Sequence, residues 1–167
     1  MSASTNVSEI VILESLRAEE TRTGSMLRDR LTASDSWPLP VSVTRAVTVA
    51  DLFRVVGLLT ERALAGTGAA APILHLEIHG DEGGTGLVMA SGEPLSWGGL
   101  GDALRPLNVT LRNSLILVLG VCSGVLSIKS VTASPFERVP FCHVVGPDKA
   151  VKSYFLPYGF HAFYTIP

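Results

Sequence analysis

Charge is scarce in this chain, and what there is forms no run. Only 17% of the 167 residues are Asp, Glu, Lys or Arg, and the formal net charge is −2. The scattered Lys and Arg make no basic stripe that could track phosphates, which argues against nucleic acid as a ligand. Long hydrophobic runs are missing too. The densest, Ser114 to Cys122, falls far short of the roughly 20 residues that cross a bilayer, so neither a membrane span nor a membrane partner is expected. Met1 to Glu9 is rich in Ser and Thr and lacks the basic and apolar regions of a secretory signal, so a cytoplasmic location is the expectation. Cysteine is limited to Cys122 and Cys142, both in or beside apolar strand-like runs. That usage suits reduced thiols rather than a disulfide framework, one of them reactive and the other buried. No internal repeat, low-complexity segment or composition shift divides the chain, and residues 1–167 read as a single domain.

What the chain has in quantity is apolar surface. A hydrophobic content of 47% and a mean hydropathy of +0.38 predict an interior-rich protein whose strands are covered on both faces. Short β-type runs alternate with helical patterns, the order of a mostly parallel sheet flanked by helices. Strands are predicted at Glu9 to Leu16, Val41 to Val47, Ile73 to His79, Leu115 to Val121 and Phe141 to Val145. A first helix is read from Gly24 or Ser25 to about Leu31. A second follows Thr48 as N-cap and keeps its period through Leu52, Val55, Val56, Leu59 and Leu64 to Ala65. Gly86 to Ala90 and Glu93 to Ser96 form a small hairpin around Ser91-Gly92. A third helix starts at Ser96 or Trp97, with Leu100, Ala103, Leu104 and Leu107 inward. Val151 to Tyr164 is aromatic and helical, with a break expected at Pro157 and Gly159.

Two strand ends carry the chemistry. The third strand ends in His79-Gly80 and, 43 residues after His79, the fourth runs into Gly120-Val121-Cys122-Ser123-Gly124. In an open parallel sheet the carboxyl ends of the strands face one crevice, so groups at adjacent ends meet without being close in sequence. An imidazole beside the cysteine would favour the thiolate and later protonate a leaving amine. The backbone N–H groups of Cys122 and Gly80 would serve a developing oxyanion, since no side chain at Gly80 blocks approach. His75 is read as a packed core histidine, Trp97 as a helix-start anchor, and Asp81-Glu82 as a solvated loop. Cys142 and His143, being adjacent on a strand, point to opposite faces, and no metal-ligand set with usable spacing exists.

His-Gly after one apolar strand and a cysteine after the next resembles the caspase-type cysteine peptidases, including the bacterial caspase-like and CHAT domains. The caspase signature Gln-Ala-Cys-x-Gly has its histidine about 50 residues upstream; here Gly120 and Val121 stand in place of the glutamine and alanine. The hairpin, Leu95-Ser96-Trp97 and Val139-Pro140-Phe141 are similar to bacterial members. The resemblance implies a caspase-like three-layer α/β sandwich with a hairpin after the histidine strand. It implies a cysteine-type endopeptidase that cleaves proteins or peptides through a thioester, with Cys122 as nucleophile, His79 as general acid/base and no cofactor. Arg22-Thr23-Gly24-Ser25 is similar to the segment by which caspases place an arginine against an acidic P1 residue, which makes Arg22 a substrate-binding candidate. Caspase-like folds continue past the fifth strand, whereas this sequence stops at Tyr164-Thr165-Ile166-Pro167. A truncated C-terminus, a homodimer or an activating partner that completes the pocket is expected accordingly, with the fifth strand as a pairing edge.

Two other functions compete. Gly120 to Gly124 also fits the nucleophile elbow of α/β-hydrolases and thiol glutaminases, with Asp148 and His161 following in the required order. Too little chain remains after Cys122 to bring them back, and His79 would be idle. A catalytically inactive caspase-like scaffold or binding module is the third reading.

Overall fold

The computed structural model describes residues 7–34, 37–66, 71–122 and 138–166. Strands β1 (Val7–Ser15), β2 (Val41–Arg45), β3 (Ala71–Gly80), β6 (Ile116–Leu119) and β7 (His143–Val145) pair in parallel in the order β2-β1-β3-β6-β7. Between β3 and β6 in sequence, β4 (Gly86–Val88) and β5 (Pro94–Ser96) form the predicted hairpin. It pairs antiparallel with the end of β3, His79 against Val88 and Gly80 against Leu87.

Period-two alternation sorts the buried strands between two helical layers. Ile10 and Ile12 of β1, Ile73 of β3 and Val118 of β6 pack with Leu27 and Leu31 of α1 (Thr23–Thr32) and Phe160 of α4 (Leu156–Thr165). Leu13, Leu74, Leu76, Leu117 and Leu119 face the other way. They pack with Leu52, Val56 and Leu59 of α2 (Val49–Ala65) and Leu100, Leu104 and Leu107 of α3 (Trp97–Thr110). The result is an α/β three-layer sandwich. No helix among the described residues is long and apolar enough to cross a membrane.

Local chemistry explains the helix starts. Thr48 accepts the Asp51 N–H while the Asp51 carboxylate accepts the Thr48 N–H, a capping box that fixes α2 where the sequence places it. Ser96 caps α3 through the Gly99 N–H. Trp97 is buried and its indole donates to the Gly84 carbonyl, so it anchors the helix to the hairpin loop. One expectation fails at α4. Pro157 occupies its first turn, where the missing N–H has no helical partner to lose, and Gly159 continues the helix, so neither residue breaks it.

Candidate active site

The chain enters the sheet at β1 and leaves it in opposite directions, toward β2 through α1 and toward β6 through α3. The carboxyl ends of β1 and β3 therefore flank a topological switch point, where diverging loops open a crevice. Both candidate residues belong to this end of the sheet. The β3–β6 ladder pairs Ile73 with Ile116 and Leu76 with Leu119, the same offset of 43 residues that separates His79 from Cys122. Beyond Leu119 the pairing persists through the Gly120 N–H, which donates to the Leu76 carbonyl at 2.7 Å. A Cβ on Gly80 would lie 3.3 Å from the Cys122 carbonyl oxygen and 3.2 Å from Val121 Cγ1, so the two strand ends are packed side by side. Cys122 is exposed, as a nucleophile must be. Ser123 and Gly124 lie outside the described residues.

Each candidate atom is engaged elsewhere. His79 Nε2 lies 2.8 Å from Glu20 Oε1, which leaves Nδ1 as the ring nitrogen for a second partner. The Cys122 thiol donates to the Val151 carbonyl at 3.6 Å. Glu20 escaped the sequence reading. It sits 59 residues from His79, in the loop after β1, and only the order of the strands shows that this loop shares a crevice with the end of β3. Partial burial pushes its carboxyl up, but the Arg17 N–H and the His79 ring outweigh that and hold it below its ordinary 4.5. A carboxylate that stays ionised on Nε2 can orient the ring and stabilise an imidazolium.

No protein-family model matches the chain, and no curated protein matches it.

Beneath the crevice lies a second group that the sequence did not announce. Glu14 and Glu77 are register partners on β1 and β3, and both are buried. Glu14 Oε1 accepts the Gly24 and Ser25 N–H groups at 3.0 and 3.3 Å, so a strand carboxylate caps α1, whose own N-cap residue offers no side-chain bond. Glu77 accepts the Thr23 hydroxyl at 2.7 Å and pairs with His75 Nε2 at 2.9 Å, while His75 Nδ1 meets the Tyr164 hydroxyl at 2.9 Å. The donor order that satisfies every member runs Tyr164 to Nδ1 and Nε2 to Glu77. His75 is thus the core histidine expected, now with two polar partners. The network ties α1 and α4 to the sheet.

Gly120 belongs to this arrangement. A Cβ there would lie 2.6 Å from Glu77 Oε1, so the position that holds glutamine in the caspase signature has no room for a side chain. Arg22 is partly committed: its Nη1 donates to the Leu16 carbonyl at 2.9 Å and stands 3.6 Å from Glu14 Oε2. Asp81 serves its own turn, its carboxylate accepting the Thr85 hydroxyl and the Gly86 N–H. Cys142 corrects the expectation of a buried second thiol. It is exposed because β7 begins only at His143, on an edge where β6 is its sole strand partner among the described residues. Asp148 is exposed and His161 lies in α4. Among the described residues no group of three or more His, Cys, Asp or Glu could hold a metal.

Proposed function

We propose that the protein is a cysteine-type endopeptidase of caspase-like type, with Cys122 as nucleophile and His79 as general acid/base. The observation that supports it is the shared offset. The register that pairs Leu76 with Leu119, carried three residues further, would bring an exposed cysteine level with the histidine at the end of the neighbouring strand. In this reading His79 Nδ1 takes the thiol proton as Sγ attacks the peptide carbonyl carbon, forming an S–C bond. Collapse of the intermediate breaks the C–N bond, and the proton passes to the departing amine. Water then adds to the thioester, the S–C bond breaks, and the thiol is restored with release of the acid. The N–H groups of Gly80 and Cys122 face the oxyanion, and Glu20 is a positioning residue behind the imidazole.

The same reading carries a cytoplasmic setting and either a second copy or an activating partner at the β7 edge. One observation favours an inactive scaffold: the thiol is bound to Val151 and the ring to Glu20 rather than to each other. Catalytic hydrogen bonds are often loose before substrate binds, which keeps the enzymatic reading ahead. The test is a diverse peptide library incubated with wild type and Cys122→Ala. Cleavage that vanishes in the variant is the expected result. Cleavage that survives it, or none by wild type with a candidate partner present, rejects the proposal.

A further inference from the structure

Past the end of β7, on the face covered by α4, lies a cavity of about 280 Å³. Val145, Val151, Phe155, Leu156, Phe160 and Phe163 form its walls, and among the described residues no charged one lines it. Val151 connects this cavity to the chemistry, because its carbonyl is the acceptor of the Cys122 thiol. Gly159 of α4 also lines it, and a Cβ at that position would meet nothing within 4 Å. Phe155 and Phe163 are about half exposed at the rim and have apolar area left to cover.

We propose that the cavity is the selectivity pocket of the site, receiving a large apolar side chain, aromatic or branched aliphatic, from the P1 residue whose carbonyl Cys122 attacks. The inference rests on the reading of Cys122 as nucleophile. Its volume is at the lower edge of the roughly 300–1,000 Å³ of small-molecule sites, the scale of one side chain rather than a longer segment. A carboxylate or ammonium entering it would lose hydration and find no charged partner among the described residues. Arg22, which the family resemblance would assign to an acidic P1 residue, is partly committed to Glu14. The wall chemistry therefore favours Phe or Leu over Asp at P1. Apolar pockets discriminate about 10- to 200-fold per methylene, so a large residue should outrun Ala by at least about tenfold.

Three reporter peptides that differ only in Phe, Ala or Asp at P1 are compared on wild type, Cys122→Ala and Gly159→Leu. The last variant narrows the cavity from a position where the backbone is helical and the space is open, so folding is preserved. Phe is expected to be cleaved fastest, and Gly159→Leu to lower the Phe-to-Ala rate ratio by about tenfold. Cys122-dependent cleavage that is fastest after Asp, or unchanged by Gly159→Leu, overturns the pocket and leaves the peptidase standing. Where no peptide is cleaved with a candidate partner present, the peptidase reading fails and alkylation decides whether the cavity beside Cys122 takes an apolar group. N-benzyl chloroacetamide labelling Cys122 faster than plain chloroacetamide, relative to Cys142, with the preference lost in Gly159→Leu, supports it. Equal preference at both thiols overturns it.

Discussion

Gly120→Ala should be among the most damaging small substitutions in the protein, although it adds a single methyl group. The added Cβ would sit 2.6 Å from both the Cδ and Oε1 of Glu77 and 2.7 Å from its Oε2, closer than real Cβ contacts come. The carboxyl cannot swing aside freely, since it is buried and held on one oxygen by Thr23 and on the other by His75. Moving it breaks both hydrogen bonds inside the core, and at about 1–3 kcal/mol for each partner left unsatisfied the loss is about 2–6 kcal/mol. Set against a total stability of about 5–15 kcal/mol, that is enough to unfold a marginal domain. Urea denaturation followed by circular dichroism reads the change as a lower midpoint with an unchanged slope. Gly57→Ala is the matched control, because its Cβ meets nothing within 4 Å inside α2, and it should stabilise by about 0.5–1 kcal/mol. A Gly120→Ala protein within about 0.5 kcal/mol of wild type would refute the account of Glu77 as a fixed, doubly bound group.

Burial, and then the Glu77 charge, hold the Tyr164 phenol well above its ordinary 10.0. Its contribution to stability is therefore complete below pH 10 and is lost as pH rises toward the folded-state value, at about 1.4 kcal/mol per pH unit. Tyr164→Phe should cost about 1–3 kcal/mol near neutrality by stranding His75 Nδ1, and should flatten that alkaline loss; an unaltered alkaline slope in denaturation series contradicts it. Glu20→Gln should reduce kcat about tenfold with KM little changed, a fraction of the roughly 10²–10⁴-fold available to general acid–base catalysis. Because the Glu20 carboxyl is held below 4.5, its contact with His79 contributes fully above pH 4.5 and fades as pH falls through the lowered value. Wild type should keep this kcat advantage over Glu20→Gln down to that range, and superimposable pH profiles of the two proteins would dispose of the positioning role.

The sequence was most legible where the cause is local. Thr48 announces a capped helix, and apolar periodicity assigned the buried faces of α2 and α3, except that Leu64 is exposed near the end of α2. That His79 lies at the end of β3 and Cys122 just past the end of β6 was legible for a related reason, since a strand end is a local feature. Polar groups joined across long stretches of sequence were not. Tyr164 and His75 are 89 residues apart, Thr23 and Glu77 are 54 apart, and no spacing rule links them. A signal did exist at Glu77. A carboxylate within the apolar run Ile73 to Ile78 must find partners if it is buried, which predicts a network without naming its members. The end of β6 was overextended, because the apolar run continues past the point where the backbone leaves the ladder to turn at Cys122, and β7 was begun too early, since Phe141 and Cys142 precede the ladder that opens at His143.

Both cysteines are exposed, so their relative reactivity measures activation without a substrate and with an internal control. Alkylation rates at Cys122 and Cys142, resolved by peptide mass spectrometry at pH 7 in wild type and in His79→Ala, test the dyad most directly. Cys122 should react about tenfold or more faster than Cys142, and His79→Ala should erase the difference. Equal rates at the two thiols in the wild-type protein would contradict Cys122 as an activated nucleophile.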